Sequence, residues 1–213
     1  MELSVVGSGS LTIVGEGAYM LSDRLQVPLD QLVMSFVGGI LLLAVLFIAL
    51  GQHHPLKPEH IKNIRESKKV LGSIRRITNN QKRMDIMRDI HPNVFEELIL
   101  TALKSPFRKV RRNTRYTGDG GIDGQARING QWHFIQAKRY TNHISASHVD
   151  EFIRLCKSEG QPGLFIHTGI TGEKSRDLIS QSSDCHMISG QALCSLIGGE
   201  VSVEHLINQS IAS

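Results

Sequence analysis

The sequence predicts an α/β domain joined through a basic helical segment to one apolar N-terminal helix, and three observations carry that expectation. Nineteen residues from Leu32 to Leu50 are uncharged. Asn129-Gly130 separates two runs of alternating character, the pattern of a two-residue β-hairpin. From Ser145 onward, amphipathic helical stretches alternate with short apolar strands. Size and composition agree: 213 residues, 40% apolar and 21% charged, describe one globular domain with an appendage and exclude collagen, a disulfide scaffold and a disordered chain. Cys156, Cys185 and Cys194 have no C-x-x-C spacing, which argues against both bridges and a zinc site.

Charge falls into zones. Residues 1–52 carry a net −3, residues 53–115 a net +10 and residues 116–213 a net −3, within a total of +4. The run Leu32–Leu50, LVMSFVGGILLLAVLFIAL, adjoins the basic zone. As a helix it approaches the roughly 30 Å of a bilayer's hydrocarbon core. Its acidic upstream flank and its distance from the N-terminus are unlike a cleaved signal peptide, so a transmembrane helix is expected at 32–51. Gly38 and Gly39 within it do not make a G-x-x-x-G pair. Lys57, Lys62, Arg65, Lys68 and Lys69 follow the run while only Arg24 precedes it. This asymmetry predicts a single-pass protein of the inner (cytoplasmic) membrane with its C-terminal part in the cytoplasm. Residues 1–31 become a short extracytoplasmic tail without evident chemistry.

Residues 52–90 read as a basic helical juxtamembrane linker. Ile61, Ile64, Leu71, Ile74 and Ile77 recur at helical spacing among Lys and Arg, Asn79-Asn80 breaks the helix, and Met84, Met87 and Ile90 continue it. Such a segment suits anionic headgroups, nucleic-acid phosphates or a partner helix. A solvated spacer is the plain alternative.

The chemistry concentrates in a domain expected at 91–213. Pro92 sits where a first helical turn tolerates proline. The following NVFEELILTALK sets Phe95, Leu98, Ile99 and Leu103 on one face, with the carboxylates Glu96 and Glu97 near its start. A basic stretch of Arg108, Lys109, Arg111, Arg112 and Arg115 leads through YTGDGGIDG into the hairpin strands Ile122–Ile128 and Gln131–Lys138. Period-two geometry puts Gln136 and Lys138 on one face and Ile135 and Ala137 on the other, with Asp123 across from them. A carboxylate, an amide oxygen and an ammonium at one sheet end suit hydrolysis at phosphorus. Asp123, Gln136 and the Ala137 carbonyl offer hard oxygen ligands for Mg²⁺, Lys138 can orient or deprotonate water, and a helix carboxylate such as Glu96 can complete the set. The same residues also read as a Gly-Asp-Gly-Gly turn followed by a decorated strand.

Beyond the hairpin, Ser145–Ser158 reads as a helix burying Val149, Phe152, Ile153 and Cys156, Gly163–Thr168 as a buried strand, Glu173–Ser180 as a helix, His186–Ile188 as a short strand and Gly190–Ile197 as a helix. Ten histidines include no close-spaced set on one element, and the glycines near residue 120 match no nucleotide-binding motif.

Phe95-Glu96 opening a helix, then Asp119-Gly120-Gly121-Ile122-Asp123-Gly124, then Gln136-Ala137-Lys138-Arg139-Tyr140, resembles the catalytic domain of Mrr-type restriction endonucleases, a branch of the PD-(D/E)xK nucleases, over residues 92–200. In that family glutamine replaces the motif's second acid, as at Gln136. The resemblance implies a restriction-endonuclease-like core, a central mixed β-sheet flanked by helices. It implies a catalytic set of Glu96, Asp123, Gln136 and Lys138, and Mg²⁺, with Mn²⁺ as a substitute, on Asp123, Gln136, Ala137 and Glu96. Asp123 takes the strand-initial position and Asp119 shapes the turn. Ser105-Pro106-Phe107 stands where a Gly-aromatic pair commonly follows the first helix.

The resulting expectation is a membrane-anchored, Mg²⁺-dependent DNA endonuclease of restriction or DNA processing. Arg108, Lys109, Arg111, Arg112, Arg115 and Arg139 would hold the phosphate backbone, and a homodimer would cut both strands. The rival expectation is a catalytically silent, membrane-tethered DNA-binding or assembly protein on a nuclease-like scaffold. It draws on the negative charge that glutamine removes from the metal site.

Overall fold

An uninterrupted apolar run satisfies its backbone most simply as a helix, and α1 covers Leu29–Gly51 in the first of two units, Met1–Pro55 and Leu56–Ser213. The computed structural model of the protein describes residues 28–51, 56–113 and 121–212. In α1 the side chains described without a break run from Val33 to Val45, about 20 Å of helix, and the large apolar ones among them are exposed. Among the described residues no helix is long and apolar enough to cross a membrane. The expected span at 32–51 has side chains at both its ends outside the described residues, and the expected tail lies outside them up to residue 27.

The second unit begins with helices whose starts are written in the sequence. Pro58 opens α2, Pro58–Ile74, and Pro92 opens α4, Pro92–Leu103. Between them α3, Asn80–Asp89, is capped by Asn79, whose side chain accepts the Lys82 N–H at 3.0 Å. Five strands follow: β1 Val110–Arg112, β2 Gly124–Ile128, β3 Gln131–Lys138, β4 Gly163–His167 and β5 Cys185–Ile188. They lie side by side in chain order. β1, β2 and β3 pair antiparallel, and β4 and β5 add in parallel to β3. Parallel neighbours need crossovers, supplied by α5, Ala146–Glu159, and α6, Glu173–Ser180. Helices α7, Gly190–Gly198, and α8, Val203–Ala212, close the unit. The mixed sheet flanked by helices agrees with expectation.

Each sheet face has its own core. Ile135, Ala137, Leu164 and Ile166 pack with Phe95, Leu98 and Ile99 of α4 and with Leu193 and Ile197 of α7. On the other face Phe134 and Phe165 meet Phe152 and Cys156 of α5, the rings of Phe152 and Phe165 edge to face at 5.8 Å.

Residues 58–89 are not a solvated spacer. Leu71, Ile74, Met84 and Met87 belong to the larger core. The buried stripe of α2 is His60, Asn63, Ser67, Leu71 and Ile74, while Ile61 is 42% exposed. A stripe counted on apolar residues alone is therefore offset, because small polar groups fit the contact with α4: the Ser67 hydroxyl lies 3.0 Å from that of Thr101. Arg83, only 2% exposed, donates from Nε to the Ile77 carbonyl at 2.6 Å and pairs through Nη1 with Glu200 at 2.5 Å. A cation that composition assigns to solvent thus ties α3 to the end of α7.

Two glycines test this packing. A Cβ at Gly163 would stand 2.5 Å from both Cys156 Sγ and Phe152 Cζ, so Gly163→Ala is expected to cost about 1–3 kcal/mol. Gly72 lies exposed in α2 with open space around it, so Gly72→Ala is expected to add up to about 1 kcal/mol. Urea midpoints of the two variants measure both effects.

Candidate active site

Asn129 (φ 49°) and Gly130 (φ 83°) both take the left-handed region, which a tight hairpin turn requires. That turn sets Ile128 opposite Gln131 and Gly124 opposite Ile135. One step beyond, the Asp123 N–H donates to the Ile135 carbonyl at 2.8 Å, which brings Asp123 across from Gln136. The Asp123 carboxylate then accepts the Ala137 N–H through Oδ2 at 2.6 Å. The expected convergence of Asp123 with the Gln136–Lys138 strand end is therefore present. Ile135 and Ala137 enter the larger core, and Gln136 and Lys138 take the face of Phe134.

Gln136 is 6% exposed. Its Nε2 donates to the Gly121 carbonyl at 2.7 Å, while Oε1 is buried without a hydrogen-bond partner. Gly121 has φ 86°, and a Cβ there would lie 2.6 Å from Gln136 Nε2, so this close approach depends on glycine. An unsatisfied buried oxygen costs about 1–3 kcal/mol. A hard cation would relieve it. The oxygens of Asp123, Gln136 and the Ala137 carbonyl are chemically suited to such an ion. Among the described residues no three His, Cys, Asp or Glu side chains gather to hold a metal, so neutral oxygens would carry much of the coordination.

Lys138 is half-buried and pairs in register with His167 of β4. Glu96 is half-buried on α4, which packs against the sheet face of Ile135 and Ala137, so it starts from the side opposite Gln136 and Lys138. Its neighbour Glu97 is 2% exposed and accepts Arg112 Nε at 2.6 Å.

The basic stretch divides. Arg112 also donates to Thr101 Oγ1 at 2.9 Å. Arg108 makes a two-pronged pair with Glu204 at 2.9 and 2.7 Å and donates to the Leu103 carbonyl at 2.7 Å. These two guanidinium groups join β1 to α4 and α8 and are committed within the protein, in contrast with the expectation that the whole stretch faces phosphate. Lys109 and Arg111 are exposed. Arg139 is exposed and donates to the Arg88 carbonyl. Arg115 and Asp119 lie outside the described residues.

Sequence reasoning missed two supports of the site. Arg88 donates from Nε and Nη2 to the Thr168 carbonyl at 3.0 and 2.7 Å. The Thr168 hydroxyl accepts the Tyr140 N–H at 2.9 Å and donates to the Tyr140 carbonyl at 2.8 Å, pinning the chain just after Lys138. Thr168 closing an apolar strand was the available signal. His167, fully buried, places Nε2 3.2 Å from Thr171 Oγ1. Burial pulls its pKa from 6.5 to about 4 against a weaker opposing interaction with the Gly169 backbone.

Removing the Arg112 partner strands a buried carboxylate, so Arg112→Ala is expected to destabilise by about 3 kcal/mol in urea unfolding, and Arg111→Ala to leave the midpoint nearly unchanged. For His167 the folded pKa lies below the unfolded one, so the unfolded chain binds more protons between about 4 and 6.5. Stability is thus full above pH 6.5 and declines as pH falls towards 4. Burial lowers the pKa of His133 and His186 also, with the same sign. His167→Gln is expected to flatten the decline in unfolding midpoints measured from pH 7.5 to 4.5.

No curated protein and no solved structure matches the chain. A family model described as a restriction endonuclease, of the Mrr catalytic type, matches residues 87–197, from the end of α3 through α7 and including Glu96, Asp123, Gln136 and Lys138. With more than half of the sequence matched and the hairpin geometry in place, the chain belongs to the Mrr-type restriction endonuclease catalytic family.

Proposed function

We propose that the protein is a membrane-anchored, Mg²⁺-dependent endodeoxyribonuclease that hydrolyses phosphodiester bonds in restriction or DNA processing. The observation that carries this reading is the buried, unpartnered Oε1 of Gln136 beside the Asp123 carboxylate, on a strand whose next same-face side chain is Lys138. Asp123, Gln136, the Ala137 carbonyl and Glu96 are the groups that would hold Mg²⁺, with Mn²⁺ as a substitute. When bound, the cation supplies charge neutralisation at the scissile phosphate. Asp123, fixed by the Ala137 N–H, orients the oxygen ligands. Lys138, as an ammonium, orients the attacking water and offsets the charge of the phosphate, and the water's proton passes to solvent or to a phosphate oxygen. Lys109, Arg111, Arg115 and Arg139 grip the backbone, with Arg108 and Arg112 shaping the surface behind them.

The membrane part of the proposal rests on sequence. The nineteen uncharged residues Leu32–Leu50 and the lysines and arginines after them support a single pass through the inner (cytoplasmic) membrane with the catalytic domain in the cytoplasm. The exposed apolar side chains between Val33 and Val45 agree with it. A homodimer would present two sites to the two strands of a duplex. One observation favours the second reading, a catalytically silent tethered DNA-binding scaffold: the absence, among the described residues, of a three-ligand ionisable cluster.

Supercoiled plasmid incubated with the full chain in detergent, with Mg²⁺ or with EDTA, separates the two. Nicking or linearisation is expected with Mg²⁺ alone, and Asp123→Ala and Lys138→Ala are each expected to slow it at least about 100-fold. Cleavage that survives both substitutions, or salt-sensitive binding without any cleavage, contradicts the enzyme reading.

A further inference from the structure

Among the described residues, the sheet face that carries Gln136 and Lys138 is only partly covered. Helix α5 and its neighbours bury Phe134, Phe165 and Cys185 there. Arg111, Gln125 and Arg127 share that face by the ladder register, yet among the described residues no helix buries them: Arg111 and Arg127 are exposed and Gln125 half-exposed. At the outer end of this bare strip lies a hollow of about 420 Å³ lined by Lys104, Lys109, Val110, Arg111, Arg127 and Trp132, four cations and no acid.

The two guanidinium groups are held rather than loose. The Arg111 guanidinium lies 4.1 Å over the Trp132 ring, and Arg127 Nε donates to the Gly130 carbonyl at 2.9 Å. Ser105 and Arg108 close a tight turn between Lys104 and Lys109, and Phe107 at its tip is 99% exposed. Four cations and no acid beside the bare strip match the phosphate backbone of a duplex. Distance matters too. Trp132 and Lys138 share one face of β3 and stand about six residues, or roughly 20 Å, apart, the rise of about six base pairs.

We propose that the bare strip of β1 and β2, from Asp123 to the hollow around Trp132, is a second grip for the DNA duplex, holding its backbone about six base pairs from the bond that is cut. The proposal rests on the nuclease reading for its substrate and adds residues outside the reaction centre: Lys104, Arg127 and Trp132 beside Lys109 and Arg111. Trp132 acts as a positioning residue that keeps Arg111 extended over the strip. Phe107 contacts the duplex at the rim.

Trp132 is the chain's one tryptophan, so its emission reports occupation of the hollow directly. The full chain in EDTA is titrated with a 20-base-pair duplex at several salt concentrations, beside Lys109→Ala/Arg111→Ala and Arg127→Ala proteins whose melting curves match the parent. A saturable change in Trp132 emission is expected, and the double variant is expected to reduce the slope of log affinity against log salt by about two. With Mg²⁺, the double variant should raise KM about tenfold while kcat stays within about twofold. Trimming one flank of the duplex below about six base pairs should raise the parent's KM but not the variant's. Cleavage with unchanged KM in the variants and an unresponsive Trp132 overturns the second grip and leaves the nuclease standing. A Trp132 response with the reduced salt slope but no cleavage upholds the grip and removes the nuclease, and no response together with no cleavage overturns both.

Discussion

The register of β2 against β3 is the constraint on which everything chemical in this protein depends. Side chains alternate with a period of two, so a slip of one residue would turn Gln136 and Lys138 into the larger apolar core and move Ile135 and Ala137 to the opposite face. Two devices prevent it. The Asn129-Gly130 turn fixes one end of the ladder through its positive φ angles, and at the other end Asp123 bonds across to β3 through both its backbone N–H and its carboxylate. The residue that would bind a cation is thereby also a structural clamp. Its carboxylate is oriented by the same bond that fixes the register.

Around that clamp the protein handles charge sparingly. The strand end gathers the Asp123 carboxylate, the Gln136 amide and the Lys138 ammonium, while paired acids and bases lie in the framework, Glu97 with Arg112 and Glu204 with Arg108. Those pairs fasten the chain at and just before the edge strand β1 to α4 and α8. Exposed cations remain on one strip of the sheet, where Lys109, Arg111 and Arg127 surround Trp132. The separation has a physical logic. Buried guanidinium groups need partners that satisfy them fully, whereas a surface meant for a polyanion works best where no internal acid competes.

Much of this was legible in the sequence because it is local. The hairpin, the break at Asn79-Asn80, the helix opened by Pro92 and the crossover elements α5 and α6 each rest on residues a few positions apart. What was not legible is tertiary. Arg83 reads as one more cation in a basic segment until Glu200 and the Ile77 carbonyl enclose it. His60, Asn63 and Ser67 form the buried stripe of α2, which a count of apolar residues cannot find. Arg108 and Arg112 look like phosphate contacts because their acidic partners lie 96 and 15 residues away. At the site, Asp123, Gln136 and Lys138 followed from strand periodicity, but the Gly121 carbonyl that fixes the Gln136 amide is a loop contact with no periodic signal. The same limit hid Thr168, whose hydroxyl bridges to Tyr140.

The proposed chemistry depends most directly on Asp123 and Gln136 together receiving a divalent cation through their side-chain oxygens. Crystals of the full chain grown with Mn²⁺ and measured for anomalous scattering locate the ion without reference to activity. A single strong peak within about 2.5 Å of both the Asp123 carboxylate and Gln136 Oε1 is the predicted result. A peak elsewhere in the domain, or a Gln136 Oε1 that accepts a protein N–H while the hairpin register is retained, would contradict it.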